Sequence, residues 1–104
     1  MLATHMPNFL RALVVAAALA VAACQSAPVQ EMSDARQAIS VATKAGAEQH
    51  AAGQLQMAQK YLQSAEQQLN HRKYSQARQD AVSAKESALE ALRVTESSIE
   101  AQER

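Results

Sequence analysis

The chain has 104 residues with ten basic and ten acidic side chains, which leaves a formal net charge of zero. That balance lacks the positive excess by which proteins neutralise phosphates, so nucleic acid is excluded as the expected partner. Aromatics are confined to Phe9, Tyr61 and Tyr74, and the apolar content is largely alanine, which contributes little transfer energy per buried residue. Thin, closely spaced helices suit such a composition.

After Phe9, Leu10 and Arg11 comes an unbroken apolar run from Ala12 to Cys24. It is shorter than the roughly 20 residues a membrane-spanning helix requires, and its layout is that of an export signal. Its end, Val21-Ala22-Ala23-Cys24, resembles the lipobox of bacterial lipoproteins: an aliphatic residue, two small residues and a cysteine. The alternative is an ordinary small-residue cleavage site with a cysteine nearby. Cys24 is the one cysteine of the chain and has no partner for a disulfide, whereas exported proteins usually pair theirs. The resemblance implies that the Cys24 thiol is alkylated with diacylglycerol and that cleavage falls just before it. Removing the 23 preceding residues from 104 leaves 81, near the size at which a single core is marginal. Two acyl chains hold a protein on a membrane stably where one holds only marginally. The cations of the leader are Arg11 and His5, and translation starts at either Met1 or Met6. In enterobacterial relatives of the lipobox class an aspartate after the cysteine retains the protein in the inner membrane. Gln25 and Ser26 stand there instead, which implies the outer membrane, with the domain in the periplasm.

The segment 24–32 reads as a lipidated tether, stiffened by Pro28 and without helical period. The helical domain is expected over 33–104. Its first helix, about 34–46, is predicted from Asp34 with Gln37 three residues on as an amino-terminal cap, followed by Ala35, Ala38, Ile39, Ala42 and Ala45 at helical steps. Gly46 and Gly53 then bracket a break, because the apolar register of one side does not continue into the other. The alternative is one long helix with a register slip.

The second helix, about 53–70, has Leu55, Ala58, Leu62, Ala65 and Leu69 stepping by three and four. Asn70, His71, Arg72 and Lys73 form the predicted turn. The third helix, about 74–103, repeats the stepping with Tyr74, Ala77, Ala81, Ala84, Ala88, Ala91 and Thr95. The short turn demands an antiparallel hairpin. The fold class is therefore all-α, either a three-helix bundle or a long coiled-coil hairpin. A second stripe, Val82, Leu89, Leu92 and Ile99, lies beside the first and is the candidate interaction surface. The first helix is expected to cover part of it through Ile39 and Val41; otherwise a second copy or another protein does.

Candidate chemistry is sparse. His50 and His71 have no His, Cys or carboxylate at metal-ligand spacing, no serine sits in a nucleophile elbow, and no glycine-rich phosphate loop exists. The expected catalytic residues, metal and cofactors are therefore none, with no small-molecule substrate. His71-Arg72-Lys73 is either an anion-binding cluster or the usual cationic end of a helix. Glu90 with Arg93 and Glu100 with Arg104 are helix-spaced pairs of the solvated face.

Residues from about Pro28 to Val94 resemble the alanine-rich domain of unknown function of small Gram-negative envelope lipoproteins, sometimes found ahead of an OmpA-like domain. The matching positions are Ala35, Ala38 and Ile39, Gly46-Ala47, Leu55, Ala58, Leu62 and Ala65, then Tyr74, Ala77, Ala81 and Ala84. That family usually has a glycine in the turn before the tyrosine and a proline where Ala52 stands. No OmpA-like domain follows, and Glu103-Arg104 differs from the terminal lysine that joins the major outer-membrane lipoprotein to the wall. The resemblance implies a structural or protein-interaction module with an envelope partner or self-association. A small membrane-active, toxin-like lipoprotein is the alternative; it would need a basic face, and the segment from Cys24 on has nine basic against ten acidic residues. A periplasmic inhibitor or chaperone differs from the module only in its partner.

Overall fold

The computed structural model describes residues 7–24 and 26–104. Among them every regular element is a helix: α1 Asn8–Cys24, α2 Val29–Ala45, α3 Ala47–His50, α4 Ala52–Asn70 and α5 Tyr74–Glu103. The choice between Met1 and Met6 as the start, and the reading of Gln25 in membrane sorting, fall outside the described residues.

The domain is a three-helix bundle built in layers. Met32, Ala65 and Ala81 form the lowest layer, with Leu62 and Leu69 against it. Ala38, Ala58 and Ala88 form the middle layer. Ala42, Ala47, Ala51, Leu55 and Ala91 form the upper one, flanked by Ile39, Leu92 and Val94. Reading up the layers, α2 and α5 gain residue number together while α4 loses it, so α2 runs parallel to α5 and antiparallel to α4. Buried positions on α5 are Ala77, Ala81, Ala84, Ala88, Ala91 and Thr95, the stripe expected from stepping except for Tyr74, which is half-buried. With methyl groups at these positions the helices approach closely, and Leu55, Leu62 and Leu69 fill what remains.

The predicted start of the first helix is corrected. It begins at Val29, not 34, and the tether is correspondingly shorter. Pro28 occupies the cap position and is fully buried, and its carbonyl accepts the first helical bond from the Met32 amide at 3.0 Å. Proline serves well at a helix start, where its missing N–H is not needed. Met32, 2 % exposed, extends the apolar period one turn earlier and supplies the largest core side chain of α2. Asp34 is thus an interior helical residue, accepting from Gln30 Nε2 at 2.8 Å rather than capping.

The break between helices is also resolved. Gly46 has φ 108°, a conformation that L side chains rarely adopt, and its amide bonds the Ala42 and Thr43 carbonyls to close α2. The Gly46 carbonyl then accepts from Gln49 and His50, opening the four-residue α3. Ala51, non-helical at φ −148° and ψ 46°, starts α4, so Gly53 is helical and the second break lies at residue 51.

The α4–α5 turn closes by a Schellman pattern: the Lys73 amide reaches the Gln68 carbonyl at 2.9 Å and the Arg72 amide reaches that of Leu69 at 3.0 Å. Arg72 takes the left-handed position, φ 60°.

Candidate interaction site along α2 and α5

The candidate stripe on α5 divides. Val82, 40 % exposed, and Leu89, 47 % exposed, stay open to solvent. Leu92 is half-buried and packs against the upper layer, because the end of α2 and the α3 turn stand over that level of α5. Ile99 is half-buried, above the described layers. On α2, Ile39 packs inward as expected, but Val41 does not cover α5; it is 45 % exposed and points along the same side as Leu89. The reason is periodicity: Ala38 and Ala42 occupy the seam, and Val41 falls on the flank between them.

Val41, Val82 and Leu89 consequently line a surface groove between α2 and α5. It comprises two adjoining depressions of about 270 and 320 Å³ that share Asp34, Lys85 and Leu89. Gln37 and Ala38 complete the upper part, and Glu31 and Glu86 the lower. The groove has apolar Val41, Val82 and Leu89 beside the charged Asp34, Glu86 and Lys85, with Glu31 at its lower edge paired to Arg78. Val82, Lys85 and Leu89 have helical spacing, a signal that identifies one wall in the sequence. Asp34 and Gln37, read as a cap, are the other wall.

Below the groove, Arg78 links α5 to the start of the domain. Its Nε donates to Glu31 Oε1 at 3.0 Å and a terminal nitrogen donates to the Ser26 carbonyl at 2.9 Å. Across the α4–α5 hairpin Ser64 Oγ donates to Asp80 Oδ2 at 2.6 Å, and between α2 and α4 Arg36 pairs with Glu66 at 3.4 Å. No local pattern announces these contacts, since their members lie far apart in sequence.

Val21, Ala22, Ala23 and Cys24 form the last turn of α1. This 17-residue apolar helix packs against no other helix among the described residues, and Phe9, Leu13, Val14 and Val15 are exposed along it. No helix of the described residues is long and apolar enough to cross a membrane.

His50 is half-buried at the end of α3 and His71 is exposed in the α4–α5 turn. Among the described residues no group of three His, Cys, Asp or Glu side chains could hold a metal ion. Thr95 Oγ1 is buried without a hydrogen-bond partner, and its methyl lies 3.9 Å from where a Cβ on Gly46 would sit.

The bundle is what the comparison with known families recognises: a domain of unknown function (DUF4398) matches over residues 30–104. The chain belongs to this family. The DUF4398 unit starts within the first turn of α2 and ends with α5, so α1 and Cys24 precede it. No curated protein and no solved structure matches the chain.

Proposed function

We propose that this protein is a lipid-anchored, non-enzymatic component of the bacterial cell envelope. Its DUF4398 bundle is held at the outer membrane by diacylglyceryl Cys24, faces the periplasm, and offers the α2/α5 groove to a protein partner. The observation that carries this reading is the junction between leader and domain. An apolar helix that packs on no other helix among the described residues ends in Val21-Ala22-Ala23-Cys24, and the folded unit begins almost at once, with Ser26 held by Arg78. A chain cut before Cys24 would lose α1 and keep every layer of the bundle intact.

An interaction role for the groove is supported by exposed Val82, Leu89 and Val41, which line one surface groove together. The experiment is mass spectrometry of the protein isolated from native membranes. A diacylglyceryl group on an amino-terminal Cys24 is expected, and Cys24→Ser should abolish palmitate labelling; an unmodified cysteine or a retained leader would overturn the proposal.

A further inference from the structure

The two ends of the bundle differ in their relation to the anchor. Arg78, one turn into α5, fixes the Ser26 carbonyl at 2.9 Å. Cys24 precedes Ser26 by two residues, which places it within about 7 Å of that point along an extended chain. The α4–α5 turn closes at the same end, since Tyr74 begins α5 four residues before Arg78, about 6 Å of helix rise. On this turn His71, Arg72 and Lys73 are exposed, and neither Arg72 nor Lys73 has a side-chain hydrogen bond or ion pair among the described residues. Of the carboxylates on this part of the bundle, Glu31 is paired with Arg78 and Glu66 with Arg36, while Asp80 accepts from Ser64 and keeps its charge.

We infer that the α4–α5 turn contacts an anionic membrane surface through Arg72 and Lys73 when Cys24 is acylated. The inference rests on the lipid anchor proposed above. Attraction to anionic headgroups fades within a Debye length, about 10 Å at 0.1 M salt, and the short link from Cys24 to the base of α5 lets the turn come inside that range. Two cations are too few to capture a free protein. Once the acyl chains have delivered the turn to the surface, the same two cations act on orientation. Each contributes about fivefold to the docked population, roughly 25-fold for the pair. The docked bundle stands on its hairpin turn, with the groove on its side and Gly46 and the end of α5 farthest from the lipid.

The test uses the lipidated full protein bearing Asn70→Cys, whose thiol is the only free one because Cys24 is acylated. A fluorophore on it is read against a headgroup-bound quencher, in phosphatidylcholine vesicles with or without about 30 % phosphatidylglycerol. Quenching is expected to rise with phosphatidylglycerol, and to be lost at high salt and in Arg72→Gly/Lys73→Gln. Glycine fits the φ of residue 72, so that loss is not unfolding. Equal quenching in both vesicles, or no effect of the double variant, overturns the inference, as does a turn that crosslinks to an envelope protein yet ignores the lipid. Mass spectrometry of the same sample separates the two claims: absent acylation overturns the anchor, whereas acylated protein whose turn is indifferent to phosphatidylglycerol overturns this inference alone.

Discussion

Arg78 and Glu31, separated by 47 residues, meet at 3.0 Å and tie the first turn of α2 to α5. Both side chains are about one-third exposed, 32 % each, so the pair is worth at most about 1 kcal/mol. Its larger effect is local, because Arg78 also fixes Ser26. Arg78→Gln should lower the melting temperature only modestly while amide hydrogen exchange quickens over 26–32. Unchanged exchange there would mean that the buried Pro28 and Met32 hold the segment unaided.

Arg72 occupies a left-handed position that costs a non-glycine residue about 1 kcal/mol. Arg72→Gly is expected to stabilise the domain by about that amount, a gain of about 4–8 °C for a domain of this size. Arg72→Ala, which keeps a Cβ and removes the same charge, should show no such gain. Calorimetry of the two variants side by side decides it.

Gly46 is the converse case. A Cβ there would find room, 3.5 Å from His50 Cδ2, but not a permissive backbone. Gly46→Ala should cost about 1–2 kcal/mol through the φ of 108° alone, measured by denaturant midpoint.

Thr95 is buried with its hydroxyl unpartnered, so Thr95→Val keeps the shape and removes a desolvated polar atom. A neutral result or a gain of about 1 kcal/mol is expected in thermal unfolding. A clear loss would reveal that the hydroxyl has an unseen partner.

Glu90 accepts two bonds from Arg93, and the hydrogen bond, opposed by slight desolvation and aided by the guanidinium charge, holds its carboxyl below the usual value of 4.5. A depressed folded-state value means that the pair's contribution is present above the ordinary carboxylate range and is lost as pH falls through the lowered value. Both groups face water, so the effect on stability is small. Carbon-detected titration should show Glu90 protonating below the normal Glu range, and Arg93→Gln should return it.

The sequence reveals the hairpin most fully because its signal is repeated: seven stepped positions from Tyr74 to Thr95, five from Leu55 to Leu69, and a turn between them. The start of α2 is concealed because Asp34 and Gln37 imitate a cap, while the true start rests on a proline and one methionine. Helix α3 is too short to show a period, and its existence follows from the backbone of Gly46 and Ala51. For the groove, Val82 and Leu89 are legible from spacing. Burial of Leu92 is not, since it depends on where the break sets α3, and the Arg78 contacts require the folded topology.

Among the described residues the buried apolar side chains larger than alanine are Pro28, Met32 and Leu55 alone. Such a seam removes little hydrocarbon from water per residue, and hydrocarbon hydration is what makes unfolding absorb extra heat capacity. The stability of this rod should therefore bend only gently with temperature, falling off gradually towards both cold and heat.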